Sequence, residues 1–289
     1  MSPNRIDEIM ASVEAFPAMP GAAARLLVML DDPDVSATEI EEALRFDPGL
    51  TANILRLSNS AYFGFASQVG SVHQAVVLLG AKRLTQVVTA TCVNAVMDRP
   101  VEGYGLSPGA LWRHSIAVSV AAEILVKELD LAENPEIFTA ALLHDVGKLV
   151  LGQYIDQHLA PLAPDALADK PFQQVEKELL GADHAEVGAR ILEKWAFPQR
   201  IVHAVRWHHD PDAAGEPDTM VDLIHVANVL CLMLGIGMGN EGLQYQPESS
   251  ATERLGLTTT HLERAASRTL QWVNEMSDRL KPGSSRIDS

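Results

Sequence analysis

The sequence predicts an all-α fold, and three observations support this. Apolar residues recur at spacings of three and four along most of the chain, which is the period of an amphipathic helix. Helix-capping signals precede these stretches, and hardly any segment keeps the period-two alternation of a strand. The hydrophobic fraction of 47% is ample for a packed interior, and 289 residues suit one large domain or two modest ones.

The predicted helices begin at cap-type residues, several of which are followed by proline. In chain order, the starts are the capping box Ser36–Glu39, the pair Asp47-Pro48, Ser71, the pairs Ser107-Pro108 and Asn134-Pro135, and the capping box Thr260–Glu263. Gly80 is predicted to end the helix that begins at Ser71, because glycine readily adopts the left-handed backbone that closes a helix.

The domain boundary is predicted at residues 98–105, DRPVEGYG, where proline and glycine interrupt two helical stretches. We therefore expect an N-terminal helical subdomain over residues 1–98, packed on a second helical subdomain over residues 105–280. The terminal segment KPGSSRIDS, residues 281–289, is predicted to be a disordered tail.

The charge and the cysteine content limit the function classes. A formal net charge of -16 argues against direct nucleic-acid binding, which normally uses clustered Lys and Arg. Cys92 and Cys231 are far apart in apolar stretches, so we expect no disulfide and a reducing compartment. No signal peptide is evident, and the longest apolar stretch, residues 224–238, is shorter than a membrane span. A cytoplasmic protein without membrane contact is expected.

The most informative feature is a series of histidines with an aspartate. The series is His114, His144, Asp145, His184, His208 and His209, spread over four helical segments. Four of these histidines lie on apolar stripes, so their side chains should point into the core. Burying an unpaired polar group costs about 1–3 kcal/mol. Two explanations remain open: the side chains hydrogen-bond to one another, or they bind a metal.

A metal would suit this set of side chains. Neutral imidazole with carboxylate fits Zn, Fe, Mn or Ni, and Asp145 could bridge one ion to a second. Lys148 lies one helical turn after His144, where it could hold an anion such as a phosphate beside the metals. One or two divalent ions and a phosphorylated small ligand are therefore the expected cofactor and ligand classes.

Several motifs carry a family resemblance. The segment LLHDVGK (142–148) resembles the signature of the HD superfamily of metal-dependent phosphohydrolases, and the order of the histidines resembles that of its binuclear members. Five further segments resemble the HDOD domain, an HD-related output domain of bacterial signalling proteins. They are FPAMPGAAARLLVML (16–30), FDPGLTANILRLSNSAYFG (46–64), VHQAVVLLGAKRL (72–84), HAEVGARILEKWAFP (184–198) and VHAVRWHHDP (202–211). The likeness covers roughly residues 6–235.

The resemblance implies a helical bundle, a signalling role through protein partners, and two metal sites. By position, the first site would use His114, His144 and Asp145 with Asn228. The second would use Asp145 as the bridge with His184, His208 and His209, and Lys148 matches the family's phosphate-contacting lysine. HDOD domains are generally thought not to be active hydrolases.

Two departures from the active enzymes weigh against catalysis. Asn228 stands where they have an aspartate, and an amide oxygen is a weaker ligand than a carboxylate. Asp222 is a poor substitute because six helical positions rotate it by about 240° from Asn228. The Gly-Tyr-Pro motif expected after the paired histidines is replaced by residues 210–212, DPD, which removes the main reason to expect cyclic di-GMP as substrate.

Two functional interpretations follow. The first is a bacterial signalling module that acts through a protein partner, with a degenerate HD-type pocket for a metal or a phosphorylated ligand. The second is a phosphohydrolase acting on a nucleotide or cyclic dinucleotide, with Asp145 and Lys148 as catalytic residues. In the N-terminal part, Tyr62 and Phe63 are either core residues or anchors of a docking surface.

Overall fold

The computed structural model describes residues 5–17, 21–30, 32, 34–44, 48–59, 69–159, 170–240 and 249–280. The helices are α1 (Arg5–Ala15), α2 (Gly21–Leu30), α3 (Ala37–Leu44), α4 (Pro48–Ser58), α5 (Val72–Met97), α6 (Ala110–Glu128), α7 (Pro135–Leu143), α8 (Lys148–Leu159), α9 (Phe172–Leu180), α10 (His184–Lys194), α11 (Gln199–Trp207), α12 (Thr219–Met233), α13 (Ser249–Arg254) and α14 (Thr259–Leu280), with 3-10 turns at Glu102–Tyr104 and Pro211–Ala214. These residues contain no strand, only a bridge between Val101 and Leu106. The all-α prediction is confirmed. Tyr62, Phe63 and the tail 281–289 lie outside the described residues.

Several predicted helix starts are confirmed by their hydrogen bonds. The capping box before α3 is present: the backbone N–H of Glu39 donates to Ser36 Oγ (3.2 Å), and the N–H of Ser36 donates to Glu39 Oε2 (2.8 Å). Asn134 caps α7 by accepting from the N–H of Glu136 at 3.0 Å. The helix α4 begins at Pro48 as expected, while Asp47 lies outside the described residues.

Two predicted starts are wrong by about two residues. The helix α6 begins at Ala110 rather than at Ser107-Pro108, because Gly109 adopts a left-handed conformation (φ 72°) that separates the preceding turn from the helix. The last helix begins at Thr259, so its cap is Thr258 instead of Thr260. The N–H of His261 donates to Thr258 Oγ1 at 3.3 Å, in place of the expected partnership with Glu263.

The helix α5 bears on the expectation of no membrane-spanning stretch. That expectation overlooked residues Val72–Asn94, which are long and apolar enough to cross a membrane by length and composition, with a mean hydropathy of 1.3. Of an 18-residue apolar window in this helix, 61% is buried inside the protein, as in a core helix. The backbone is also non-helical at Gly80 (φ 70°, ψ 167°), so the helix that starts after Ser71 breaks where the sequence predicts.

The chain divides into two compact units. The larger comprises Met1–Ala18 and Val93–Ala266, and the smaller comprises Met19–Cys92 and Ser267–Ser289. The boundary predicted at residues 98–105 is close to the junction at 92–93, but α1 belongs to the larger unit. There it contacts α8 and α10, and the Nζ of Lys194, on α10, donates to the Val13 carbonyl at 3.2 Å.

The interiors of the two units differ in character. In the larger unit, α6 packs against α7 and α12, and α10 packs against α11. In the smaller unit, the core is an apolar cluster from α2 to α5 that includes Leu26, Ile40, Ile54 and Leu84, each fully buried. Only the larger unit contains the predicted ligand residues.

Candidate metal centre

The predicted ligands lie mostly at helix ends. His114 is inside α6; His144 and Asp145 follow the end of α7; His184 is the first residue of α10; His208 and His209 follow the end of α11; and Asn228 is inside α12. The expectation that the His144-Asp145 pair lies on one continuous helix is therefore wrong, because residues 144–147 form a turn between α7 and α8.

The turn between α7 and α8 requires glycine at position 147. A Cβ atom added to Gly147 would lie 2.0 Å from the carbonyl oxygen of His184 and 2.6 Å from the backbone nitrogen of Gly188. No side chain fits at such distances, so glycine lets this turn press against the start of α10. The close approach brings the carboxylate of Asp145 within 3.3 Å of the His184 ring.

Asp145 is at the centre of the cluster, and its two oxygens face different histidines. Its Oδ2 is 3.3 Å from His144 Nε2 and 3.6 Å from His114 Nε2. Its Oδ1 is 3.3 Å from His184 Nε2 and 3.8 Å from His208 Nε2. The Nε2 atoms of His184 and His209 are 2.6 Å apart. These distances bring together the histidines and the aspartate that the sequence singled out.

The donor atoms form two sets, in each of which all atoms lie within 4.8 Å of one another. The first set is His114, His144 and Asp145; the second set is Asp145, His184, His208 and His209. Asp145 belongs to both, through one oxygen each. Apart from Asn228, the sets contain the residues of the two sites that the resemblance implies.

The other ring nitrogen of four histidines is held by an acceptor. The Nδ1 of His144 faces the carbonyl of Ala141 (2.6 Å), and that of His208 faces the carbonyl of Val205 (2.7 Å). The Nδ1 of His114 faces the carbonyl of Ile236 (2.9 Å), and that of His184 faces the carboxylate of Glu176 (2.8 Å). Because these oxygens can only accept, each Nδ1 carries a proton and donates it. A neutral ring then presents its Nε2 lone pair to the centre, as metal-binding histidines do.

Burial keeps most of these rings neutral. It lowers the pKa of His114 to about 4, although the Asp145 charge opposes the shift. It also lowers the pKa values of His208 and His209 well below the usual histidine range. Burial would lower the pKa of His184 too, but the neighbouring Glu176 carboxylate prevails and raises it to about 10.

The carboxylate of Asp145 is ionised in this environment. Burial raises its pKa, but its closeness to His144 and Lys148 outweighs burial and holds the pKa well below the ordinary aspartate value. Within the described residues, Asp145 Oδ1, His144 Nε2 and His208 Nε2 are buried without a hydrogen-bond partner. A ring lone pair that faces a carboxylate oxygen places two acceptors together, so neither has a hydrogen bond. Each buried acceptor left in this way costs about 1–3 kcal/mol of stability. A divalent cation would satisfy all of them, so these residues fit a metal.

Lys148 and Asn228 are both at the centre, each held by another predicted ligand. The Nζ of Lys148 is 2.8 Å from Asp145 Oδ2 and 5.3 Å from the centroid of the Tyr104 ring. The side-chain Oδ1 of Asn228 is 3.0 Å from His114 Nε2. Asp222 is not part of the centre, as its position on the helix predicts, because its carboxylate is paired with Arg254 at 2.6 and 2.9 Å.

Three further residues support the ligands, and sequence reasoning missed them. Glu176 is fully buried and accepts hydrogen bonds from Tyr104 Oη and from both the backbone N–H and Nδ1 of His184. The Nδ1 of His225 donates to the carbonyl of His208 at 2.8 Å. The sequence signal for Glu176 is its place on the apolar face of α9, and the signal for His225 is its place in the most apolar part of α12.

Comparison with known proteins identifies the family. The model of the HDOD domain matches residues 16–211, which is more than half of the chain. This chain is an HDOD-domain protein. The matched range contains His114, His144, Asp145, His184 and the His208-His209 pair, whereas Asn228 lies beyond it.

Relatives of this HDOD protein support the fold. An uncharacterised protein of Treponema pallidum is 24% identical over 229 residues; the match covers 78% of this chain but only 42% of the relative. An HDOD protein of unknown function from Geobacter sulfurreducens has a TM-score of 0.76 at 23% identity, covering 96% of this chain and 97% of its own. A candidate phosphohydrolase from Shewanella amazonensis has a TM-score of 0.72 at 24% identity, covering 94% and 97%. At these identities the solved structures show the fold alone.

Proposed function

We propose that this HDOD protein is a signalling module whose centre binds a divalent metal as part of its regulatory core, without turnover of a substrate. One observation carries the proposal: imidazole lone pairs converge on an ionised carboxylate inside an enclosed site. The imidazoles and the carboxylate of Asp145 supply a ligand set that suits Zn, Fe, Mn or Ni. A metal bound to the second set would join α10 to the two turns after α7 and α11.

The enclosure of the centre favours a structural or regulatory role. The ligands of the two sets are between 0% and 7% exposed, and Lys148 is 3% exposed. A phosphoester must reach both the metal and a water molecule to be hydrolysed. The Nζ of Lys148 is occupied by Asp145, so the side chain expected to hold a phosphate is engaged within the protein.

The net charge favours a protein as the partner. At -16, the chain would repel the phosphates of nucleic acid, whereas an acidic surface can steer a basic protein surface toward it. We propose a signalling protein partner, because HDOD domains are HD-related output domains of signalling proteins. A phosphorylated small ligand remains the second ligand class, through Lys148.

The presence of two ligand sets that share Asp145 favours a second candidate function, metal-dependent phosphohydrolysis. A bound metal would supply Lewis-acid polarisation and an activated water. In that case Asp145 would hold the metal through its carboxylate, and Lys148 would bind the phosphate. The Shewanella amazonensis protein of the same fold carries the name of a candidate phosphohydrolase.

One experiment separates the two functions. The full chain, loaded with Mn²⁺ or Fe²⁺, is assayed on bis-p-nitrophenyl phosphate, a nucleotide and a cyclic dinucleotide, beside Asp145→Ala. The proposal expects bound metal and no turnover above that of the variant. Robust turnover that disappears in Asp145→Ala would contradict the proposal and establish the phosphohydrolase.

The signalling role is tested separately by quantitative affinity capture from native cell extract. The metal-loaded wild type is compared with the chelated wild type and with Asp145→Ala. We expect a protein whose capture depends on the metal. Identical captured proteins in all three samples would contradict a regulatory role for the centre.

A further inference from the structure

We infer that the centre holds one ion, in the second set, and that Lys148 and Asn228 close the first set to metal. This inference rests on the proposed function, because it assumes that the centre binds a metal at all. It goes further by assigning different roles to the two oxygens of Asp145 and by explaining what Asn228 does.

The Asp145 oxygen of the first set already has a cation beside it. Lys148 Nζ is 2.8 Å from Oδ2, the oxygen that faces His114 and His144. The ammonium is buried and also lies over the Tyr104 ring, so two contacts hold it there. A divalent ion bound to Oδ2 would sit against this positive charge.

One of the two imidazoles of the first set, that of His114, is engaged by Asn228. His114 donates its Nδ1 proton to the carbonyl of Ile236, so the neutral ring has only an Nε2 lone pair toward the centre. As oriented, Asn228 Oδ1 faces this lone pair at 3.0 Å. Turning the amide by 180° presents its N–H instead and forms an ordinary hydrogen bond. An amide can therefore satisfy His114 without a metal.

An aspartate at position 228 would lack this option. A carboxylate can only accept, so opposite the His114 lone pair it needs a cation between the two groups. Asn228 thus stands where the active enzymes have a metal ligand, and its amide can satisfy His114 without a metal. Of the first set, His144 Nε2 remains buried and unpartnered within the described residues, and one imidazole is too few ligands for a stable site.

In the second set, the Nε2 atoms of His184 and His209 face each other at 2.6 Å, and a metal would displace the proton that lies between them. The other two donors, Asp145 Oδ1 and His208 Nε2, are buried and have no such partner in the described part of the chain. Glu176 fixes the orientation of His184 through its Nδ1 and its backbone N–H, which is the carboxylate–histidine arrangement that strengthens a metal ligand. With His209, four donors are available, the number that a tetrahedral ion takes.

The test is the stoichiometry and affinity of Zn²⁺ on the demetallated full chain, by metal analysis after gel filtration and by calorimetry. The variants are His114→Asn, His208→Asn and the double variant Asn228→Asp with Lys148→Gln. Asparagine retains an N–H donor near the Nδ1 position, so the bonds to the Ile236 and Val205 carbonyls can persist while Nε2 is lost. Circular dichroism confirms that each variant is folded.

We expect the wild type to bind one ion. His114→Asn should also bind one ion, with an affinity within about threefold of the wild type. His208→Asn should lose affinity by about 10-fold or more. Asn228→Asp combined with Lys148→Gln, which removes both obstacles in the first set, should raise the stoichiometry to two. Two ions in the wild type, or one ion that His114→Asn loses and His208→Asn keeps, would overturn the inference while leaving metal binding intact. No ion in the wild type would overturn the proposed function itself.

Discussion

The two units of the chain bury different kinds of side chain. In the described part of the smaller unit, the buried polar residues are uncharged: Ser58, Gln86, Thr89, Thr91 and Thr269. The larger unit buries five histidines of the centre together with Asp145, Lys148 and Glu176. Apolar burial stabilises a fold whatever the function, whereas buried ionisable groups cost stability unless each is paired. Among the described residues, the buried acidic and basic side chains are thus found in the larger unit.

The largest expected effect is in the apolar core. Ile54 is fully buried in the smaller unit, so Ile54→Ala should lower the free energy of unfolding by about 2–5 kcal/mol. The loss should be the same with metal and with chelator, because no ligand lies in that unit. Denaturant unfolding measures it, with the 75% exposed Val28→Ala as the control, expected within about 0.5 kcal/mol of wild type. A loss of stability that differs between metal and chelator would contradict the separation of the two units.

The next effect concerns the metal-linked stability of the larger unit. A metal present at about 1,000 times its Kd stabilises the folded state by about 4 kcal/mol, and Asp145→Asn should abolish that gain. The measurement is the shift of Tm on adding Zn²⁺. The control is Asp212→Asn, which changes a half-exposed carboxylate paired with Arg254. Equal shifts in wild type and Asp145→Asn would show that the metal acts elsewhere.

A smaller effect is expected at Glu176. Glu176→Gln keeps the size of the side chain but removes the charge behind His184, so Zn²⁺ affinity should fall about 10–100-fold. Calorimetry measures it, and Glu178→Gln on the same helix, with a side chain 48% exposed, is the control. An unchanged Zn²⁺ affinity in Glu176→Gln would show that the charge of Glu176 does not strengthen His184 as a metal ligand.

The smallest effect compares one helix cap in each unit. Ser36→Ala removes the cap of α3 and Asp183→Ala removes the cap of α10, each at about 1 kcal/mol of stability. Only Asp183→Ala should also weaken metal binding, because His184 is the first residue of the helix that Asp183 caps. Titration with Zn²⁺ distinguishes them; a weaker affinity in Ser36→Ala would contradict the separation of roles.

Much of the centre could be predicted because its ligands carry strong local signals. The imidazoles of His114 and His184 lie on apolar helical stripes, and the structure places both beside Asp145. The turn at residues 144–147 was not predicted, because the constraint on Gly147 comes from its contact with His184, which is distant in sequence. A glycine in the sequence does not show which backbone approaches it.

The supporting residues were harder to find for the same reason. Tyr104 and Glu176 are 72 residues apart, and only the packing of a 3-10 turn beside α9 joins them. Asn228 was singled out from the sequence, but its partner His114 is 114 residues away, so its hydrogen bond could not be inferred. Long-range contacts decide what a buried polar side chain does.

The most direct test of the account is an anomalous difference map from crystals of the full chain grown with Zn²⁺. The account predicts a peak bonded to the carboxylate of Asp145 and to His208 Nε2, at about 2.0–2.2 Å, the distance of Zn²⁺ ligands. The absence of any peak at the centre, with the imidazoles hydrogen-bonded only to one another and to Asp145, would contradict it.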